Sequence, residues 1–394
     1  MRAEGKPLTT WLLRFASKTL GSLALAVSAA TSAQETNLEP VLPPARPSHE
    51  TLHWLALTNG EVAVCGLPWF RENGGELARL PARLKSTFRP AVWSLARQPS
   101  GGRIRFRSDT KVLSLRLEYP SPPRMANMHA YGQTGVDLYA DGAYWATAVG
   151  DQDAKRGMIY ERVLLNLPDQ PRVEREITLY LPLYMPVKVL GIGVDTEAKI
   201  TPDKPFAVAK PVVFYGTSIT QGGCASRPGM SYEAILGRRL NIDFVNLGFS
   251  GNGLGEPEVA SAVAEIDAAC FVLDFGANHK TGEEMRKAYA PFLDTVRAKH
   301  PHTPIVVMTP LYTTREERIP SLRLDWQQRR EHISQVVRER IHAGDKQLLL
   351  VDGARLLGPN PGDGFVDGGH PNDLGFQWMA DGLTPVLRRA LRLK

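Results

Sequence analysis

The sequence predicts a three-layer α/β/α domain built on a parallel sheet, preceded by an antiparallel β-sandwich. First, its 394 residues are more than one hydrophobic core usually covers, so we expect two folded domains. Second, apolar and polar residues alternate with a period of two from about Thr51 to Glu197. Third, short continuous apolar runs alternate with segments of helical periodicity after Lys210.

The amino terminus has the pattern of an export signal. Basic residues precede an apolar stretch from Leu20 to Ala30, and small residues up to Ala33 follow it. This pattern predicts a signal peptide over residues 1–33 and a secreted or periplasmic protein. The apolar stretch is too short to span a bilayer, so we expect no stable membrane insertion after cleavage, with an uncleaved anchor as the alternative. Residues 34–50 are rich in proline and are expected to form an extended spacer.

Charge and cysteine content exclude several classes of protein. The formal net charge of +6 falls to +3 without residues 1–33, since 43 basic and 40 acidic residues remain. No dense run of Lys and Arg is left, so no nucleic-acid partner is expected. Three cysteines cannot all pair with one another, which favours buried free thiols at Cys65, Cys224 and Cys270. A Cys224–Cys270 disulfide stays open as the alternative in an oxidising compartment.

Residues 51–200 are predicted to form the β-sandwich domain, with a jelly-roll-like arrangement. Turn signals at 100–102 and 141–142 separate short runs of alternating hydrophobicity, and no stretch has a convincing helical period. The clearest runs are 103–107, 113–119 and 173–181.

Residues 205–394 are predicted to form the three-layer domain. Five apolar runs have the character of fully buried strands: Val212–Tyr215, Phe244–Leu247, Cys270–Phe275, Ile305–Met308 and Leu348–Val351. Five segments have helical periodicity: Ser231–Leu240, Pro257–Ile266, Gly282–Lys299, Leu322–Ala343 and Asp373–Leu391. In such a sheet ligands bind beyond the carboxyl ends of the strands, so candidate functional residues are sought there.

Polar segments follow four of the five predicted strands. They are Gly216–Thr220, Asn246–Gly253, Gly276–His279 and Asp367–Asn372. Each segment alone is most often a helix cap or a turn. Together they contain the nucleophile, base, orienting acid and neutral oxyanion donors that acyl transfer requires.

These four segments, in this order, resemble the motifs of the SGNH hydrolases, also called the GDSL esterase/lipase family. The resemblance covers about residues 205–394 and implies the flavodoxin-like sheet of that family. Two departures occur. The first segment has Gly-Thr-Ser-Ile where the family motif has Asp and Leu around the Ser, and the third has His279 where Asp often follows the Asn. Neither departure removes a reacting group.

The resemblance implies a role for each matching residue. Ser218 would be the nucleophile, His370 the general base and then acid, and Asp367 the carboxylate that orients His370. The oxyanion hole would consist of the Ser218 backbone N–H, the Gly251 backbone N–H and the Asn278 side chain.

The first domain also carries a short motif with a known resemblance. Gly135-Val136-Asp137-Leu138-Tyr139 resembles the Gly-x-Asp-Leu-Tyr signature of β-sandwich domains that precede a branch of these esterases. The alternative interpretation is a structural turn in which Asp137 caps local backbone.

Further candidates come from the loops after the strands. His279 and Arg227 are candidate substrate-binding residues, because such loops shape specificity. His300 and His302 share one loop, but nothing at ligand spacing supports a metal, and no cofactor is expected.

The first hypothesis is therefore a secreted serine esterase that hydrolyses small acyl esters through an acyl-enzyme on Ser218. The expected substrates are O-acetyl groups of carbohydrates. An acyltransferase that uses the same site is one alternative, since both activities share the acyl-enzyme. A non-catalytic glycan-binding protein is the other. The sequence leaves the acyl-chain length, the glycan and the oligomeric state open.

Overall fold

The computed structural model describes residues 52–150 and 158–394, which belong to one compact unit. The predicted signal peptide (1–33) and spacer (34–50) lie outside the described residues. Within the described ranges, no helix has both the length and the apolar character needed to cross a membrane.

Two antiparallel sheets make up the first part of the described chain, as predicted. One has the strand order β1-β9-β4-β7, and the other has the order β10-β3-β8-β5-β6 with β2 also paired to β3. Side chains from both sheets share one core, so the sheets form a sandwich. The strands are β1 (Leu52–Leu55), β2 (Ala63–Cys65), β3 (Arg103–Ser108), β4 (Val112–Glu118), β5 (Val136–Ala140), β6 (Ala143–Ala148), β7 (Ile159–Asn166), β8 (Arg175–Tyr180), β9 (Lys188–Asp195) and β10 (Ile200–Thr201).

This part also contains helices that the sequence pattern does not indicate. It has two short helices, α1 (Pro90–Ala96) and α2 (Ala130–Thr134). Proline at the first position of α1 suits a helix start. Val92 and Ala96 of α1 are buried in a core shared with the parallel sheet and not in the sandwich core. A seven-residue helix shows too little periodicity to be recognised from sequence, and its tertiary contacts stabilise it.

The second part is a five-stranded parallel sheet, which confirms the predicted fold class. Its strands β11 (Val212–Gly216), β12 (Phe244–Gly248), β13 (Cys270–Asp274), β14 (Ile305–Met308) and β15 (Leu348–Val351) have the order β12-β11-β13-β14-β15. Its helices are α3 (Tyr232–Leu240), α4 (Pro257–Glu265), α5 (Gly282–Lys299), α6 (Pro320–His342) and α7 (Asp373–Leu391).

The position of β11 inside this sheet determines where a site can form. Val213 and Tyr215 enter one core, and Val212 and Phe214 enter the other, so every residue of the strand is buried. That burial on both faces explains the continuous apolar run. The chain passes from β11 outward to β12 and then back across to β13, so the strand order reverses at β11. A crevice for ligands forms at such a switch point.

Arg79 connects the first part of the chain to the end of β12. Its guanidinium is fully buried and donates hydrogen bonds to the carbonyl oxygens of Asn246 (3.1 Å) and Gly248 (2.6 Å). It also donates to the carbonyls of Gln98 (2.7 Å) and Leu95 (2.9 Å). A buried charge is tolerated when its donors are satisfied in this way. Arg79 therefore holds the strand end from which the Phe249–Gly253 loop starts.

Arg79→Met is expected to lower the free energy of unfolding by about 3 kcal/mol, because it leaves several buried carbonyls without a donor. Arg83→Met is the matched control, since Arg83 is 45% exposed in its ion pairs with Glu72 and Glu265. The control should lose less than about 1 kcal/mol. Urea unfolding measures both variants, and equal losses would contradict the role given to Arg79.

Candidate active site

Ser218 lies in the turn that follows β11. Gly216 has no room for a side chain, because a Cβ there would lie 2.1 Å from Thr220 Oγ1. The Ser218 carbonyl oxygen accepts hydrogen bonds from Gly223 N (2.7 Å) and from the Tyr184 hydroxyl (3.1 Å). These contacts fix the backbone of the turn and present a mostly buried Ser218 side chain at the carboxyl edge of the sheet.

The loop before α7 brings a histidine and a carboxylate to the same edge. A bridge between Phe365 and Pro371 and a hydrogen bond from Val366 N to His370 O (2.9 Å) close the loop into a tight turn. Inside it, Asp367 Oδ1 accepts from His370 N at 2.9 Å. Residues three apart in sequence are therefore side by side.

Ser218, His370 and Asp367 form one continuous hydrogen-bonded chain. Ser218 Oγ lies 2.9 Å from His370 Nε2, and His370 Nδ1 lies 2.8 Å from Asp367 Oδ2. A carboxylate only accepts hydrogen bonds, so Nδ1 carries the proton and the Nε2 lone pair faces the serine hydroxyl. The His370 and Asp367 side chains are about one third exposed, so the arrangement opens to solvent. This geometry is that of a nucleophile with a poised general base.

Asp367 is held in its ionised form. Burial opposes ionisation, but hydrogen bonds from the His370 backbone, the His370 ring and Asn127 outweigh it and keep the pKa of Asp367 well below its usual range. The Asn127 contact joins Asn127 Nδ2 to Asp367 Oδ2 at 3.2 Å. A permanent anion at this place is suited to stabilise a positive charge on the His370 ring.

The predicted oxyanion donors lie in the loops after β12 and β13. Gly251 adopts a φ of 66°, and no atom lies within 4 Å of where its Cβ would be. The Asn278 amide oxygen accepts from Gly253 N at 3.2 Å. This bond orients the amide so that its nitrogen is the end able to donate to a ligand. The roles of Gly251 and Asn278 stay predictions.

The two predicted substrate-binding residues make contacts within the protein. His279 is buried, and its Nε2 donates to the Leu254 carbonyl at 3.0 Å, which ties two loops together. Arg227 Nη1 donates to Asp137 Oδ2 (2.9 Å) and to the Tyr139 hydroxyl (2.6 Å). These contacts give both side chains a structural role within the protein. Their role in substrate binding stays a prediction.

The Gly-x-Asp-Leu-Tyr motif thus anchors the loop that follows the candidate nucleophile. Asp137 is fully buried and accepts from Thr147 (2.6 Å), Gly229 N (2.8 Å) and Arg227. It caps backbone, as the alternative interpretation proposed, but that backbone belongs to the loop after β11 and not to its own turn.

All three cysteines are free, including Cys224 in the loop after β11, so the Cys224–Cys270 disulfide is not formed.

Asn127 is a site residue that sequence reasoning missed. The buried Gln133 side chain fixes its loop by accepting from the backbone nitrogens of Arg124 (2.9 Å) and Met125 (3.0 Å). The same side chain donates to the Met125 and Met128 carbonyls. Nothing in the sequence around Asn127 indicates that it meets Asp367, which follows 240 residues later.

The buried carboxyl of Asp274 is hydrogen-bonded to the turn that carries Ser218. Thr220 Oγ1 donates to Asp274 Oδ2 at 3.1 Å, which connects the turn to the end of β13. Burial raises the pKa of Asp274 to about 7, against the effect of the Thr220 hydrogen bond. The carboxyl is therefore partly protonated near neutral pH.

Comparisons with known proteins agree with this arrangement. Residues 209–388 match the model of the GDSL-like lipase/acylhydrolase family, and residues 52–200 match the model for the N-terminus of SGNH-hydrolase-type esterases. A putative GDSL-like lipase from Bacteroides ovatus is 33% identical, with 87% of this chain and 99% of that chain covered and a TM-score of 0.78. No curated protein matches the sequence.

Two more distant structures share the fold. The salicylyl-acyltransferase SsfX3 from a tetracycline biosynthetic pathway is 22% identical, with 86% and 97% of the two chains covered and a TM-score of 0.73. A family two carbohydrate esterase from Clostridium thermocellum, in complex with cellohexaose, is 17% identical, with 74% and 93% covered and a TM-score of 0.56.

The chain therefore belongs to the GDSL-like lipase/acylhydrolase family. Within that family it is a serine esterase of the SGNH type that carries the Gly-x-Asp-Leu-Tyr N-terminal domain.

Asn127→Ala is expected to lower kcat about fivefold with little change in KM, because an exposed hydrogen bond to a charged group contributes about 1 kcal/mol. Asn127→Asp keeps the shape but replaces the donor with a second negative charge, so it should lose more activity than Asn127→Ala at pH 7. Steady-state kinetics on a short-chain aryl ester measures both. An Asn127→Ala enzyme as fast as the wild type would show that Asn127 does not position Asp367.

Asp274 should make stability depend on pH. Its pKa is about 7 when folded and about 3.9 in an unfolded chain, so the folded state binds more protons between these values. Its contribution to the free energy of unfolding should therefore fall as pH rises from about 4 to 7, by a few kcal/mol at most. Asp274→Asn should flatten this dependence in urea unfolding at several pH values. An unchanged slope in the variant would contradict the assignment.

Proposed function

We propose that the protein is an exported esterase that hydrolyses small acyl esters, above all O-acetyl groups of carbohydrates, through an acyl-enzyme on Ser218. The observation that carries the proposal is the hydrogen-bonded chain of Ser218, His370 and Asp367, with distances of 2.9 and 2.8 Å. Membership of the family supplies the reaction class, and the residues supply the mechanism.

Acylation begins when Ser218 Oγ attacks the ester carbonyl carbon and His370 Nε2 takes the hydroxyl proton. The tetrahedral intermediate collapses, the C–O bond of the ester breaks, and His370 gives the proton to the departing alkoxide oxygen. A water molecule then attacks the acyl-enzyme with His370 as base, which releases the acid and restores Ser218. Asp367 keeps its negative charge throughout.

The negative charge on the tetrahedral oxygen needs neutral donors at the same edge of the sheet. The backbone N–H groups of Ser218 and Gly251 and the Asn278 amide nitrogen are the proposed donors. They come from three different strand ends, and the Asn278 oxygen is already occupied by Gly253 N. Each such donor contributes about 3–4 kcal/mol to transition-state stabilisation in comparable sites.

The arrangement favours a polar alcohol as the leaving group. His370 and Asp367 are partly exposed, so a bulky hydrophilic leaving group can approach them from solvent. The similar family two carbohydrate esterase binds cellohexaose, and another similar structure is an acetyl xylan esterase from Butyrivibrio proteoclasticus. Export would place the enzyme among polysaccharides, and the basic and apolar pattern of residues 1–33 supports export.

An acyltransferase is the second candidate function. The similarity to SsfX3 spans both parts of the chain, with 86% of it covered. Transfer to an acceptor uses the same acyl-enzyme, and the activities differ only in whether water or an alcohol attacks it. Product analysis with and without sugar alcohols distinguishes the two: release of free acid at an unchanged rate supports the hydrolase.

Ser218→Ala and His370→Ala are each expected to lower kcat/KM by roughly a thousandfold or more while the fold is retained, because the nucleophile or its base is lost. The assay is hydrolysis of p-nitrophenyl esters from acetate to dodecanoate, followed by acetate release from acetylated xylan. Ser261→Ala is the control, since Ser261 lies exposed on α4, with its hydroxyl on the Pro257 carbonyl, and should leave activity unchanged.

Turnover should be fastest with acetate and fall with chain length. A preference for long-chain esters would overturn the carbohydrate proposal, and full activity of Ser218→Ala would overturn the assignment of the nucleophile.

A further inference from the structure

Cys224 lies beside the proposed base His370 and its carboxylate partner Asp367, although ester hydrolysis does not need a thiol there. One ligand atom from each of Cys224, Asp367 and His370 lies within 4.8 Å of the other two. Cys224 is free and buried, whereas Asp367 and His370 are about one third exposed. The cluster is therefore closed on the thiol side and open to solvent on the other. Only the fold creates it, because Cys224 is far from both partners in sequence.

The thiol is held in this position by its loop. Cys224 has a φ of 74°, a left-handed conformation that a residue other than glycine keeps only when its surroundings require it. On one side, Ser226 N donates to Asp373 Oδ1 at 2.8 Å. On the other, Arg227 forms its ion pair with the buried Asp137. These two contacts hold the loop that places the Cys224 side chain next to Asp367 and His370.

We propose that Cys224, Asp367 and His370 form an inhibitory binding site for a thiophilic divalent cation such as Zn²⁺. Sulfur, imidazole nitrogen and carboxylate oxygen are the three ligand types that Zn²⁺ takes in proteins, with water as a fourth. Tetrahedral bonds of about 2.0–2.3 Å separate neighbouring ligands by about 3.5 Å. The cluster therefore needs to contract by about 1 Å at its widest separation. Cations that prefer oxygen ligands, such as Mg²⁺, do not suit this donor set.

Metal binding would remove the general base. The Cys224 thiol releases its proton to solvent and binds as thiolate, and the Asp367 carboxylate further offsets the positive charge of the ion. Coordination through His370 Nδ1 leaves the ring proton on Nε2, which then cannot accept the Ser218 proton. Coordination through Nε2 occupies the same lone pair directly. A test by inhibition rests on the proposed function, because it measures ester hydrolysis. Binding of the metal ion does not depend on that function.

The first test is inhibition of p-nitrophenyl acetate hydrolysis by Zn²⁺ after removal of bound metal with a chelator. It compares wild type, Cys224→Ser and the matched control Cys65→Ser, each relative to its own metal-free rate. Half-inhibition should need at least tenfold less Zn²⁺ for wild type and Cys65→Ser than for Cys224→Ser, and Mg²⁺ should not inhibit. Equal sensitivity of all three proteins to Zn²⁺ would overturn the proposal.

The second test reads binding without turnover. Co²⁺ added to the metal-free protein should produce a thiolate-to-cobalt charge-transfer band in wild type and Cys65→Ser that is absent in Cys224→Ser. No band in the wild type, or a band that persists in Cys224→Ser, would overturn the site. A Cys224-dependent band in a protein that hydrolyses no ester would support the metal site and contradict only the proposed function.

Discussion

A single hydrogen bond of 2.9 Å between Ser218 Oγ and His370 Nε2 is the contact on which the candidate site depends. Its partners lie 152 residues apart, one after β11 and the other in the loop before α7. A parallel sheet whose strand order reverses at β11 brings these two loops to one edge. The layers on both sides of the sheet keep that edge rigid, because every residue of β11 is buried.

The β-sandwich is part of this site. Asp137 and Tyr139 hold the loop after the nucleophile through Arg227, and Tyr184 binds the Ser218 carbonyl. Asn127 reaches Asp367 itself. These contacts come from separate segments of the sandwich, so its removal would release the nucleophile loop and the carboxylate together. The two parts of the chain therefore act as one structural unit around Ser218.

The carboxylates near Ser218 have opposite environments, and this difference follows from their hydrogen-bond partners. Asp367 receives several donors, and they keep its pKa low despite partial burial. Asp274 is buried with a Thr220 donor, so its pKa is raised. One carboxyl is thus a permanent anion beside His370, and the other is a structural group under the turn. The sequence already separates the two, since Asp274 ends the apolar run of β13 and Asp367 belongs to the polar segment Asp367–Asn372.

The amino-acid sequence predicts the fold class, the strands of the parallel sheet and the segments that carry Ser218, Gly251, Asn278, Asp367 and His370. It could do so because buried parallel strands give continuous apolar runs, and because the segments at their ends carry recognisable residues. Only the folded chain shows that α1 packs against the parallel-sheet core, that Arg227 pairs with Asp137, and that Asn127 and Cys224 lie beside Asp367. These pairings join residues distant in sequence, and no local periodicity or spacing encodes such a contact.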